Sequence, residues 1–534
     1  MTDSKKYLNT PLKTGEIVTY SLGSLGREIS NNCINVFFLV YLNIYVGLNA
    51  IVLTVAFVLA KLWDTINDPM LATLINNTKS GKWGRFRPWM AVGALLNTVS
   101  LILMFTPLGA DASTAGKYFY YIFMYVVWGM TFTMVDVPFW SMIPTIANTT
   151  DERNKVSSLS KLVGGFGGFV ISSIGTSLIL PGFESYEKGY LVLGISAGAM
   201  MFCFMSVTIL CNREKYEIPN EKVGLKAIFE MFKSNDQLVA YAISYVLFVS
   251  ATTIALFQIL YLFVYCYPNG FNYFSNEFSY TVFTIVACTG QGIAMFFYSL
   301  LTKKIPREKI YGANYFMAVV GMAGLFLIFF ILQPGNYWLN TVIVALAGAF
   351  LMTANGLNQI GSTVMIADVV DYGEWKTGRR GDSVVFSVQT LLTKFAGTIA
   401  MLILGIGIEV AGLPKVSERY DTELGKVIQE FVDNNGHVVD FTAGTGALTV
   451  LRVFMFLVPI PLCIAGYIVY KKKYDLYGAK YDNIKAEIEQ RRLACDAVGA
   501  GEEISAEEAS DAITESAAAE VQTEEKAAEE AADK

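Results

Sequence analysis

Histidine is almost missing from this sequence; the single one, His437, stands in a polar stretch and reads as a solvated loop residue. Catalysis built on imidazole general acid–base chemistry is thereby nearly excluded. Charged residues make up only 16% of the chain, against 54% hydrophobic. The seven cysteines, at 33, 203, 211, 266, 288, 463 and 495, show no metal-ligand spacing. Six fall in or beside apolar runs, where cysteine packs as a small apolar residue. No glycine-rich loop ending in Lys-Ser/Thr is present, so no ATPase chemistry is expected of the chain. The short alternating strands of a membrane barrel are missing. So is a cleavable signal peptide, since residues 1–16 are polar and the first apolar run is long enough to stay as a span.

What is present is apolar length. The chain has 534 residues and a mean hydropathy of +0.44. A bilayer core of about 30 Å takes about 20 apolar residues per helix, and about twelve such runs can be drawn. They fall near 17–46, 51–76, 88–108, 118–147, 155–180, 189–212, 237–267, 277–301, 310–333, 337–366, 383–412 and 446–471. Helices satisfy their backbone span by span, so the expected class is an all-α membrane protein. Lys and Arg cluster on alternate connections, among them Lys79 to Arg87, Arg213 to Lys233, Lys303 to Lys309, Lys376 to Arg380 and Lys471 to Lys473. The excess of basic residues on one side puts both termini in the cytoplasm of a multi-pass plasma (inner) membrane protein. The most charged connection follows the sixth run and divides the chain. The expected layout is a twelve-helix major-facilitator fold of two six-helix halves, with substrate held between them. The parts are residues 1–212, a central cytoplasmic loop 213–236, residues 237–473, and a tail 474–534. The tail carries 17 acidic and 6 basic residues, a net −11 against −6 for the whole chain. Its Ala/Glu composition predicts disorder, with a short surface helix at 480–495.

Charges inside the runs are the informative residues, because each costs at least about 2.5–3.5 kcal/mol there. Arg27 and Glu28 lie in the first, Lys61, Asp64 and Asp68 in the second, Asp136 in the fourth, Lys161 in the fifth and Lys394 in the eleventh. Asp64 and Asp68 stand four apart and share a helix face. Two carboxylates that close repel, so one takes up a proton or a cation sits between them. Na⁺ and Li⁺ are hard ions that prefer oxygen ligands. Thr133 and Asp136, three apart, offer a hydroxyl and a third carboxylate, and Lys394 is placed to fill the site when the ion is absent. With Lys61 turned outward, Glu28, Asp64, Asp68 and Asp136 exceed Arg27, Lys161 and Lys394 by one charge, which a monovalent cation supplies. Trp140 lies one turn beyond Asp136; a carboxylate accepting adjacent hydroxyls beside an indole suits a sugar. Arg27 and Lys161 add hydrogen-bond donors. The plainer alternative is a set of structural ion pairs between helices. "VGGFGGFV" at 163–170 reads as a close helix contact.

These residues carry a resemblance. The chain resembles the glycoside–pentoside–hexuronide:cation symporters in "YSLGSLGREI", "LWDTINDPM" with "NNTKSGKWGRFRPWM", "WGMTFTMVDVPFWSMIPT", "LKAIFEMFKSNDQL", and "VMIADVVDYGEWK" through "SVQTLLTKFAG". The stretches follow the family's order over most of 17–471. The resemblance implies a small sugar moved with Na⁺, Li⁺ or H⁺ and no cofactor beyond that ion. It implies a cation site of Asp64, Asp68 and Thr133, with Lys394 close by. It implies sugar contacts from Glu28, Asp136, Trp140 and Lys161, with Arg27 beside them. Positions 27, 28 and 161 carry Arg, Glu and Lys where the family's best-known member has Lys, Asp and Arg, and all three changes fall in the implied sugar pocket. Expected partners are the sugar, membrane lipid and cytoplasmic regulatory proteins, and no nucleic acid. Arg379 and Arg380, in a predicted loop 367–382, are candidate gate residues. The competing readings are a lysolipid:cation symporter of related fold, a sugar sensor that does not transport, and an intramembrane prenyl transferase using "DTIND" and "DVVD". Against the last, Asp368 and Asp371 fall in the predicted loop.

Overall fold

A computed structural model describes residues 12–490 except 79–80, 109–111, 148, 181–182, 184, 216–231, 258, 267–276, 332–336, 378–381, 414, 422–425, 433–445, 479 and 489. Helix α1 is Thr14–Cys33, continued by wide π turns at Ile34–Phe38 and Tyr41–Tyr45. Then follow α2 (Ala50–Asn77), α3 (Arg87–Met104), α4 (Thr114–Ile146), α5 (Thr150–Ile174, with a π turn Gly175–Ile179) and α6 (Tyr186–Cys211). Helix α7 comprises Asp236–Phe257 and Ile259–Cys266; α8 is Glu277–Lys304, α9 Arg307–Ile331, α10 Tyr337–Thr377 and α11 Asp382–Ala411. Helix α12 runs from Gly446–Arg452 through a π turn Val453–Leu457 to Pro459–Lys473.

Local chemistry sets the ends. Asn49 caps α2, its Oδ1 accepting from the Ile51 and Val52 N–H groups at 3.0 and 3.2 Å. Thr149 and Glu152 form a reciprocal capping box on α5. Proline opens α3, where a missing N–H costs nothing. Among the described residues, nine helices are long and apolar enough to cross a membrane. The other three, α1, α2 and α5, are those whose interiors carry Arg27 and Glu28, Lys61 with Asp64 and Asp68, and Lys161. Large apolar side chains such as Leu59, Phe119, Leu210 and Phe296 stand outward, as lipid contact requires.

Two expectations are corrected, the loop at 367–382 and the exposed placement of the tail's helix, and a hairpin is added. Helix α10 runs through residue 377, so Asp368 and Asp371 lie on a helix and not in a loop. A span length drawn from bilayer thickness stops too early there, because the extension finds a protein partner. Residues 480–488 are helical, and Ile484 and Ile488 are buried. Tyr481 donates to Asp371 (2.9 Å) and Trp375 to Glu487 (2.5 Å), so the first part of the acidic tail packs on the bundle. The connection 413–445 holds an antiparallel hairpin, β1 (Lys415–Asp421) on β2 (Lys426–Val432), with Lys415 opposite Val432. Arg379, Arg380, His437 and residues 491–534 lie outside the described residues.

The first six helices pack chiefly on one another, α1 on α5 and α6, and α3 on α4 and α6. Among the rest, α8 and α9 pack on α10, and α11 and α12 on α7. Two seams join the sets: α2 with α11, and α5 with α8. Near the end opposite the termini the first seam is tight. A Cβ on Gly405 would lie 2.1 Å from the Thr54 hydroxyl, and Asn49 Nδ2 donates to Glu409 at 2.8 Å. Tyr261 reaches across to Asn43 Oδ1 (3.2 Å), and β1 packs on the Tyr41–Tyr45 turn. At the end bearing the termini, each set has polar contacts of its own. Glu214 accepts from the Arg85 and Phe86 N–H groups at 2.9 and 2.7 Å, and Lys215 pairs with Glu16. Burial opposes ionisation of Glu16, but Lys215 and the Lys13 backbone outweigh it and hold the carboxyl below the usual glutamate range. In the second set Asp236 accepts from Tyr372 (3.0 Å) and Lys376.

Candidate functional site

The charged residues gather into two clusters that share α4. In the first, α2 turns Asp64 and Asp68 toward α4. Gly129 makes room: a Cβ there would lie 3.0 Å from Asp64 Oδ1. One turn on, Thr133 Oγ1 lies 3.0 Å from Asp68 Oδ1 and 3.0 Å from the Gly129 carbonyl. The other Asp68 oxygen takes the Lys394 ammonium, which arrives from α11. Asp68 thus bonds at once to α4 of its own set and to a helix of the other. The donor set is two carboxylates, a hydroxyl and nearby carbonyls, all hard oxygens. Lys61 is half-buried and acts electrostatically on Asp64 and Lys394.

In the second cluster, the Arg27 guanidinium is buried on α1 and forks between Glu28 Oε1 (2.5 Å) and Asp136 Oδ1. Trp140 Nε1 donates to the same Asp136 oxygen at 3.1 Å, and its ring lies 5.1 Å from the guanidinium carbon. The Tyr20 hydroxyl donates to the Phe139 carbonyl and holds α1 against α4 beside this group. Asn31 and Asn32 each place Nδ2 3.3 Å from the other Glu28 oxygen. Helix α5 closes on α1 through Gly164, where a Cβ would lie 3.0 Å from Glu28 Cγ, and through Gly167 and Gly168. Lys161, one turn before Gly164, is exposed and makes no hydrogen bond or ion pair among the described residues.

The two clusters are neighbours because Thr133 and Asp136 are three residues apart, about 4.5 Å of rise along α4. Gly129, Asn31 and Asn32 were missed from sequence. The asparagines had a signal, two adjacent amides one turn after Glu28 in an apolar run. A lone glycine one turn before Thr133 had none.

Among the described residues, the twelve helices α1 to α12 pack in two sets with an ion-paired carboxylate at the seam, the layout of the major-facilitator fold. Residues 19–476 match the family described as MFS/sugar transport protein, and the chain belongs to it. It is similar to the uncharacterized symporter YjmB of Bacillus subtilis, 25% identical over 75% of this chain and 84% of that one. It is similar to the lactose permease of Lactobacillus helveticus, 23% identical over 89% of this chain and 72% of the permease. The fold is similar to the inward-open xylose transporter XylE from E. coli, with TM-score 0.55 and 12% identity over 86% of this chain and 95% of that one. These relatives are transporters, which sets the enzyme reading aside.

Proposed function

We propose that this protein moves a glycoside, pentoside or hexuronide together with Na⁺, Li⁺ or H⁺ across the plasma membrane by alternating access. The observation that carries the reading is Asp68, bound both to Thr133 and, across the seam, to Lys394. An ion that binds Asp64, Asp68 and Thr133 displaces the Lys394 ammonium and neutralises the carboxylates. That fixes α2 against α4 and orients Asp136, one turn on, toward sugar. Ion and sugar then raise each other's affinity, typically by about 1–3 kcal/mol. Glu28, Asp136 and Trp140 are assigned to the sugar, with Arg27 bridging the two acids until hydroxyls replace it, and Lys161 as a donor that swings in. Residues 1–212 and 237–473 rock as two halves around the site.

The excess of Lys and Arg on alternate connections supports cytoplasmic termini. The cross-seam contacts at Asn43, Asn49 and Thr54 then lie outside, and this state faces inward. With the inside negative, an entering cation gains about 2.3 kcal/mol per 100 mV. Lipid is the surrounding solvent, and cytoplasmic regulatory proteins remain expected partners for the terminal face. The test is uptake into proteoliposomes across a panel of glycosides and uronides, with Na⁺, Li⁺ and pH gradients varied separately. Accumulation driven by one of these gradients supports the reading; equilibration of every sugar regardless of gradient rejects the coupling.

A further inference from the structure

Behind the two clusters lies a polar group that neither uses. Asn97, on α3, is fully buried. Its Oδ1 accepts from Ser30 Oγ at 2.7 Å, and its Nδ2 lies 3.1 Å from Thr131 Oγ1 and 3.3 Å from the Trp128 carbonyl. Trp128 Nε1 closes the ring by donating to Ser30 Oγ at 3.2 Å. Ser100, one turn along α3, donates to the Asn97 carbonyl at 2.8 Å. Each of these side chains is buried. An amide buried here costs free energy unless its polar atoms are bonded, and both ends of this one are.

The sequence positions give the group its meaning. Ser30 is two residues past Glu28, about 200° around α1, so it points away from the pocket. Trp128 adjoins Gly129, which faces Asp64, and Thr131 is two residues before Thr133, which holds Asp68. One amide therefore ties the back of the sugar-side helix to the back of the cation-side helix. An apolar residue of the same volume packs between three helices without choosing a register. An amide bonded at both ends fixes one.

We propose that Asn97 is a positioning residue of the transport cycle: by bonding Ser30 on α1 and Thr131 with Trp128 on α4, it holds Gly129 and Thr133 at the register that the Asp64–Asp68 ion site requires. It touches neither ion nor sugar. It also relays the ion's effect on α4 to Glu28 and Arg27 on α1. This rests on the cation and sugar assignments of the proposed function.

The test is uptake into proteoliposomes of the best sugar of the glycoside and uronide panel. The driving ion (Na⁺, Li⁺ or H⁺, whichever drives the wild type) is titrated. Asn97→Ala should raise the half-saturating ion concentration about tenfold, the scale of one broken buried hydrogen bond. The maximal rate and the sugar KM at saturating ion should stay within about twofold. Ser30→Ala, which removes two bonds of the ring, and Trp128→Phe, which removes one, should shift ion affinity in the same direction by less. Should Asn97→Ala fail to insert, those two variants decide. An unchanged half-saturating ion concentration overturns the proposal. So does a sugar KM that worsens equally at saturating ion, because a general packing role predicts that. Ion-independent uptake by the wild type takes down the underlying cation reading instead, a result distinct from any shift among variants.

Discussion

Asp68 and Asp136 are both half-buried carboxylates paired with a basic side chain. The partner of Asp68 comes from α11, across the seam, whereas that of Asp136 comes from α1, within the same set of helices. Asp136 also holds Trp140 of its own helix. A bond across the seam changes when the two sets move; a bond inside one set travels with it. The first is suited to report and bias the conformational state, and the second to keep a binding surface constant through the cycle. Both rely on α4, where the contact residues are one turn apart. On the proposed function, a ligand at either cluster acts on the other without a long relay.

The sharpest way to break this comparison is Asp68→Cys. It removes the acceptor for Thr133 and leaves the Lys394 ammonium without its partner at the seam. Losing one member of such a pair costs about 2–5 kcal/mol, so ion-driven accumulation should fall at least about 30-fold. Binding of the same sugar by purified protein should persist within about fivefold of wild type without the ion. Retained concentrative uptake removes Asp68 from the ion site. Asp136→Ala is the counterpart. Each charge-assisted bond to a hydroxyl is worth about 1.5–3 kcal/mol, so losing two weakens sugar binding about 100-fold or more. The stabilisation of the detergent-solubilised protein by the driving ion should remain. If that response vanishes as well, the clusters are one site and the distinction between them fails.

How much of this was legible in the sequence follows from how each residue announces itself. A charge in an apolar run is conspicuous because the membrane penalises it. Asp64, Asp68, Asp136, Arg27 and Lys394 were found for that reason, and the four-residue spacing of the first two placed them on one face. The geometry agrees, since Thr133 and Lys394 both meet Asp68. Lys61 and Lys161 were equally visible, but the direction of a long flexible side chain is set by its neighbours. Lys61 is half-buried, and Lys161 is exposed. Asn97 carries no charge and no spacing; its role exists only where three helices meet. Helix number followed from apolar length, whereas the extension of α10 to Thr377 depends on its partners, Tyr481 and Glu487, more than a hundred residues away.

Gly129→Ala probes the ion cluster more gently than removing a carboxylate. The added methyl lies 3.0 Å from Asp64 Oδ1, so the carboxylate or α4 shifts by a few tenths of an ångström. Overpacking of that size costs about 1–3 kcal/mol. The half-saturating ion concentration should rise about tenfold, while sugar KM at saturating ion stays within about twofold. A change in the sugar term alone places Gly129 with the second cluster and reverses the assignment.

The smallest effect expected is at the far end of the α2–α11 seam. Glu409→Ala removes the exposed acceptor of Asn49 Nδ2 and leaves intact the Asn49 Oδ1 cap on α2. Exposed charged contacts are worth about 0.2–1 kcal/mol. The remaining contacts of that end, Tyr261 with Asn43 and Thr54 against Gly405, stay in place. Hydrogen exchange of residues 50–57, followed by mass spectrometry without substrate, should quicken by less than about fivefold. Asp68 lies 19 residues along α2 from Asn49, about 28 Å, so the half-saturating ion concentration should not move. An ion affinity that weakens with Glu409→Ala means the seam is one cooperative unit, in which case the Asp68 contact is no more a reporter of state than the rest of α2.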